Sequence, residues 1–222
     1  GNAVANLVFG NSVPCGKLTM SFPRSEGQCP IYYNHHRTAN LRTDDNKRIL
    51  YESGYIDSPN SPLYPFGHGL SYSSFEYSDF ALTGNEITDN VSIIASVKVK
   101  NTGKYKAKEI VQLYIRDMVG SLVRPIKELK GFEKIELDVG EERVVSFEIN
   151  EESLAFVGAD MQRKAEKGKF HVAPSVSAVV DRGFVGAKAA AALGCDQVVG
   201  LSREISALQE GRHRHGDGAP PQ

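Results

Sequence analysis

Between Val91 and Val99 apolar side chains recur on every second residue, at Val91, Ile93, Ala95, Val97 and Val99, with Ser92, Ser96, Lys98 and Lys100 on the alternate positions. Successive side chains of an extended chain point to opposite faces, so this pattern predicts a half-buried strand and excludes a helix there. Asn101-Thr102-Gly103 is turn chemistry. The next run places Val111, Leu113 and Ile115 on one face and Gln112, Tyr114 and Arg116 on the other, which predicts a hairpin. Further runs cover Lys127 to Leu137, Arg143 to Ile149 and Lys169 to Val172, with a turn from Asp138 to Glu142 around Gly140. Short strands broken by turns every 8 to 12 residues or so predict a mainly β chain, an antiparallel sandwich.

The chain has 222 residues, room for one ordinary domain with an addition or for two small ones, and too few for a large catalytic barrel plus anything else. Its 26 basic and 27 acidic residues leave a net charge of -1, so no bulk field favours nucleic acid or an anionic membrane as partner. No apolar run approaches the roughly 18 residues of a spanning helix, which with a mean hydropathy of -0.31 predicts a soluble chain. Three cysteines, Cys15, Cys29 and Cys195, are an odd number without CxxC spacing, which argues against a zinc site and a complete disulfide framework. A Cys15–Cys29 bridge is left open by the spacing. The chain starts with Gly1 rather than Met and without a signal-peptide pattern, so its start reads as a cut.

Residues 2 to 9 carry Ala3, Val4, Leu7 and Val8 at helical spacing, closed by Gly10, and predict the last turns of a helix. Short apolar stretches at Leu18 to Phe22 and Ile31 to Tyr33, bounded by Pro23 and Pro30, predict two short strands. Residues 34 to 64 form a polar segment too long for an idle loop, and are expected to drape over a neighbour. Beyond Val172 the composition breaks: residues 173 to 222 hold one aromatic, Phe184, and four consecutive alanines from Ala189 to Ala192. Ala173-Pro174 is expected to interrupt the strand before it. Ser175 to Val180 and Gly183 to Val185 could supply a last strand, and Ala187 to Leu193 and Leu201 to Gln209 short helices, ahead of an unpacked tail. If the last strand is missing, an exposed edge and self-association follow.

Four blocks stand in order: GNAVANLVFGNSVPCGKLTMSFPRSEGQCPIYYNH at 1 to 35, SPLYPFGHGLSY at 61 to 72, VKVKNTGKYKAKEIVQLYIRD at 97 to 117, and RPIKELKGFEKIELDVGEERVVSFEI at 124 to 149. In that order and spacing they resemble the C-terminal part of the family 3 glycoside hydrolases, most closely the bacterial β-glucosidase branch, over about residues 1 to 172. The resemblance implies that 1–72 is the end of an α/β sandwich domain with a long loop and linker. It makes 73–172 an immunoglobulin/fibronectin III-like domain, and 173–222 an atypical extension or a reading-frame change. It also implies that the nucleophile and acid/base lie outside this chain, so no residue here is assigned a catalytic role. The activity belongs to the complete enzyme, the removal of terminal β-linked glucose from oligosaccharides, with no cofactor or metal, in a periplasmic or secreted setting. An autonomous β-sandwich module binding carbohydrate or protein is the alternative.

A retaining glycosidase needs two carboxylates about 5 Å apart. The acids of the polar segment, Asp44, Asp45, Glu52 and Asp57, read as a solvated loop. The substrate-binding candidates are rim contacts at best: His35, His36, Arg37, Asp45 and Tyr51. Relatives often carry Thr-Gly-Arg-Pro where this chain reads Thr38-Ala39-Asn40-Leu41. His35-His36 is no metal site, because neighbours on an extended chain point apart and no third ligand accompanies them. The Pro65 to Tyr72 segment reads as a structural linker, with Gly67 and Gly69 permitting positive φ and with Phe66 and Tyr72 pinning it onto both domains.

Overall fold

The computed structural model of the chain describes residues 1–36, 53–88, 91–175 and 197–201. Ten strands dominate it. They are β1 Phe75–Leu82, β2 Glu86–Ile87, β3 Ile93–Asn101, β4 Ala107–Asp117, β5 Glu128–Leu137, β6 Glu142–Ile149, β7 Phe156–Val157, β8 Arg163–Lys164, β9 Gly168–Ser175 and β10 Gln197–Leu201. Two sheets face each other, one ordered β1-β3-β6 and the other β2-β10-β9-β4-β5, with β7 and β8 paired to the side. Neighbours are antiparallel except β10 and β2. The period-two residues of the sequence fill the space between: Val97 and Val99 from β3, Val111 and Leu113 from β4, Leu137 from β5 and Phe170 from β9 are all buried. This is the mainly β sandwich that the alternation predicts.

The expected hairpin is not there. β3 lies in the three-stranded sheet and β4 in the five-stranded one, so residues 102–106 carry the chain across the sandwich. Asn101 directs the crossing. Fully buried, it donates through Nδ2 to the Tyr105 carbonyl at 2.8 Å and to the Leu137 carbonyl at 3.1 Å, and its Oδ1 accepts from Gly103 N–H at 3.0 Å and Ser73 Oγ at 2.7 Å. The turn residues thus serve a corner between sheets rather than a reversal within one. The turn around Gly140 does the same between β5 and β6, with the Gly140 N–H donating to the Asn101 carbonyl at 2.9 Å.

The expected interruption at Ala173-Pro174 does not occur either. β9 continues to Ser175, with Pro174 opposite Leu113 of β4. Among the described residues the ladder between β9 and β10 ends at Val172, so Pro174 is paired only on the β4 side, and a residue without an N–H is accepted where a strand has no second ladder. β10, Gln197–Leu201, pairs with β9, while the stretches expected to close the sheet, beyond Ser175, lie outside the described residues. Residues 176–196 lie outside the described residues, and so does the expected helix at 201–209 apart from Leu201, which is strand.

At the other end, α1 spans Asn2–Val8, one residue short of the expected helix, and buries none of its residues. The predicted strands at 18–22 and 31–33 are extended or turning chain without a ladder, apart from a bridge between Phe22 and Tyr64. Cys15 and Cys29 are both free. Among the described residues no helix is long and apolar enough to cross a membrane.

Candidate functional site at the seam of the two segments

Leu18–Phe22 runs antiparallel to Tyr64–His68. Leu18 N–H donates to the His68 carbonyl at 2.8 Å, Gly67 N–H to the Leu18 carbonyl at 2.7 Å, and Phe22 N–H to the Tyr64 carbonyl at 2.8 Å. Gly67 has the positive φ expected of it, +76°, whereas Gly69 does not. Gly69 is needed for space, since a Cβ there would stand 2.4 Å from the Gly16 carbonyl oxygen. Buried Gln28 joins the stems on either side of 37–52. Its Oε1 accepts from Arg24 N–H at 2.6 Å, its Nε2 donates to the Pro59 carbonyl at 2.7 Å, and the Tyr55 hydroxyl donates to its backbone carbonyl at 3.1 Å.

Three contacts weld this segment to the sandwich. Tyr33 stacks on Phe66 with 4.3 Å between ring centres and meets the edge of Tyr114 at 6.0 Å, while its hydroxyl accepts the Leu129 N–H at 3.3 Å. Tyr114, on the outward face of β4, is buried in this way, so that strand is covered on both sides; burial, reinforced by Tyr33, holds its hydroxyl far above the ordinary tyrosine range. Lys17 reaches Glu109 at 2.9 Å, and the Tyr77 hydroxyl donates to the same Glu109 Oε1 at 3.0 Å; both partners of the ion pair are almost wholly buried. Third, the β4–β5 loop lies along His35 and His36: Ile126 N–H donates to the His35 carbonyl at 3.0 Å, and His36 is bridged to Pro125. Phe66 therefore pins the linker as expected. Tyr72 does not touch the sandwich in this way; it is half-exposed and its hydroxyl donates to the Leu7 carbonyl at 2.8 Å, tying the linker to α1.

The β4–β5 loop frames an open depression of about 310 Å³ lined by Asp117, Val119, Leu122, Arg124 and Ile126 among others. Arg124 holds the loop. Its guanidinium lies 4.0 Å over the Phe156 ring, 2.8 Å from Glu128 and 3.5 Å from Asp117. Burial pushes the Asp117 carboxyl up, against the pull of the Val119 N–H and Arg124. Ser121 closes the far side on Glu166, with its N–H 2.8 Å from Oε2.

Of the five rim candidates the structure places two. His35 is half-buried with Nδ1 3.0 Å from the His36 carbonyl, and His36 is exposed beside Pro125. Arg37, Asp45 and Tyr51 lie outside the described residues, as do Asp44 and Glu52, and Asp57 is exposed. The buried carboxylates found here were missed: Glu109 is held by Lys17 and Tyr77, and Asp117 by Arg124 and the Val119 N–H, so both are committed to holding structure. A signal for Glu109 was present in the sequence, because it falls on the apolar parity of Val111, Leu113 and Ile115. Among the described residues no cluster of His, Cys, Asp and Glu could hold a metal ion.

The ring hydroxyls set a pH limit. Burial, followed by the neighbouring Glu109, holds the Tyr77 hydroxyl well above its ordinary value near pH 10, and Tyr114 is shifted the same way. Above about pH 10 the unfolded chain releases these protons first, so unfolding is accompanied by proton release and stability falls as pH rises; below about pH 9 the two groups contribute no slope. Urea unfolding at pH 9, 10 and 11 is expected to show this fall, smaller in Tyr77→Phe. Equal slopes for the two proteins would refute the assignment.

The profile of the glycosyl hydrolase family 3 C-terminal domain matches residues 1–72, and that of the fibronectin type III-like domain matches 109–177. The chain belongs to glycoside hydrolase family 3. Its family 3 relatives include the periplasmic β-glucosidase of Salmonella typhimurium, 47% identical over 172 residues, covering 78% of this chain and 22% of the relative. A β-xylosidase of Formosa agariphila is 41% identical over 184 residues, 82% of this chain and 24% of that one. Among solved structures, the β-glucosidase of Listeria innocua in complex with gluconolactone superposes with a TM-score of 0.78 at 38% identity, over 90% of this chain and 26% of that one. The family 3 chain thus spans about a quarter of the length of the relatives it matches.

Proposed function

We propose that these residues serve as the C-terminal buttress of a β-glucosidase-type enzyme that hydrolyses terminal β-D-glucosyl residues of short β-linked oligosaccharides. The seam carries this reading: Tyr33 between Phe66 and Tyr114, together with the buried Lys17–Glu109 pair, makes one rigid support of the linker and the sandwich. Such a support fixes the loops on it, and loops on a rigid scaffold are where sugar contacts are built. His35 and His36 belong to that rim in this reading, while the reacting carboxylates come from the catalytic domains. Glucose rather than xylose is favoured by the β-glucosidases among the relatives, with the β-xylosidase as the competing specificity.

The test is a chimera. The Salmonella enzyme with its matching region replaced by this chain is expected to hydrolyse an aryl β-glucoside, and the 222 residues alone are expected to show no turnover above blank. An inactive, folded chimera, or reproducible turnover by the chain alone, overturns the reading. Binding of the isolated chain to insoluble glucan would instead favour an autonomous carbohydrate module. The exposed Phe132 is the kind of ring such a module uses, but it stands opposite Gln112 in the β4–β5 pair, and Tyr114 further along β4 is buried under Tyr33.

A further inference from the structure

The β4–β5 loop, residues 118–127, is clamped at both ends by one side chain and carries the groups that hold His35 and His36. Arg124 is the clamp. Its Nη2 lies 2.8 Å from Glu128 Oε2 on the first residue of β5, and its Nε lies 3.5 Å from Asp117 Oδ2 on the last residue of β4. The guanidinium is laid 4.0 Å over the Phe156 ring of β7, so three elements meet on a side chain that is 13% exposed. Gly120 makes room for its stem, since a Cβ there would stand 2.9 Å from Arg124 Cγ and 3.1 Å from the Leu122 carbonyl oxygen. Asp117 is fixed in turn by the Val119 N–H at 3.2 Å.

The next two residues hand this order on. His36 is bridged to Pro125, and the Ile126 N–H donates to the His35 carbonyl at 3.0 Å. Planar peptides and the fixed φ of Pro125 leave little slack between the guanidinium and that bridge. We infer that Arg124 is a positioning residue for sugar binding, setting the place of His35 and His36 on the rim through Pro125 and Ile126. This rests on the β-glucosidase reading above. Lysine does not replace it, because a point charge neither forks between two carboxylates nor stacks flat on a ring.

The test compares the chimera described above with its Arg124→Gln and Arg124→Lys variants on cellobiose. Both variants are expected to raise KM by about 10-fold with kcat within about twofold, since lost rim contacts remove binding shared by ground and transition states. A fall in kcat with KM in place is what a role confined to stability produces, and it overturns the inference. His35→Ala/His36→Ala is expected to raise KM similarly, and Arg124→Gln added to it to raise KM no further; multiplied effects would place the action of Arg124 elsewhere. Hydrogen exchange in the 222-residue chain supplies a readout without turnover. In Arg124→Gln the Ile126 amide is expected to exchange about 10-fold faster relative to the Val111 amide in β4, whose rate reads opening of the whole sandwich. An unchanged ratio overturns the inference whatever the chimera does. An active chimera whose KM ignores Arg124→Gln overturns it too and leaves the proposed function standing, whereas a folded, inactive parent chimera removes both.

Discussion

Asn101→Ala is expected to destabilise the chain by about 2–4 kcal/mol. The side chain makes four hydrogen bonds in a fully buried corner, to groups of the linker, of residues 103 and 105, and of β5. Removing it takes a partner from the Leu137 carbonyl, at roughly 1–3 kcal/mol for a buried group left unsatisfied, while the Tyr105 carbonyl keeps the Ser73 hydroxyl at 3.0 Å and the Gly103 N–H keeps the Ser74 carbonyl at 3.1 Å. Gly103→Ala tests the same corner from the other side. A Cβ there would stand 1.9 Å from Ser73 Oγ, 2.4 Å from Ser74 N and 2.7 Å from Ser73 Cα, and two of those atoms are backbone and cannot swing away. Either the linker is pushed off the corner or β4 starts late, and both break the Ser73–Asn101 bond. Urea unfolding of each variant is the measurement. A loss below about 1 kcal/mol for Asn101→Ala, the size of an ordinary exposed hydrogen bond, would show that the corner is not what holds the crossing.

Lys17→Met is expected to cost about 3–5 kcal/mol, because it leaves Glu109 buried without its cation. Lys17→Met combined with Glu109→Leu is expected to recover most of that loss, since well-packed apolar side chains commonly replace a buried pair at little cost. The remaining deficit measures the Tyr77 hydroxyl left without its acceptor, about 1–3 kcal/mol. The readout is the double-mutant cycle in urea, with the release of residues 1–72 followed by proteolysis. If the double variant instead loses the sum of what the two single variants lose, Lys17 and Glu109 do not interact and the seam is held by Tyr33 and the β4–β5 loop. A small loss for Lys17→Met would lead to the same conclusion.

The proposed rim was legible only as a region. His35 and His36 could be pointed to from their place after the IYY run, but what fixes them is the β4–β5 loop some ninety residues away, through Ile126 and Pro125. Nothing in the sequence marks Lys17, and Tyr114 falls on the outward parity of a half-exposed strand. Each acquires its environment from a segment distant in sequence: Glu109 for the first, Tyr33 for the second. Residue type alone says that Gly69 permits positive φ, and its actual reason, the approach of Gly16, exists only after the chain has folded back on itself.

The alternating residues of β3, β4, β5 and β6 determined by themselves that this chain forms strands with one apolar face, and hence a sandwich, because side-chain direction in an extended backbone depends on nothing beyond the backbone. Which strand pairs with which was another matter. Asn-Thr-Gly after β3 suits a hairpin as well as a corner, and the choice was made by the Leu137 and Tyr105 carbonyls that Asn101 reaches only in the assembled fold. Likewise, Pro174 reads as a stop, yet the tertiary structure pairs it with Leu113 of β4, beyond the last described pair of the β9–β10 ladder, and the strand continues. Local patterns set the elements; hydrogen-bond partners and buried charges contributed from distant parts of the chain set their arrangement.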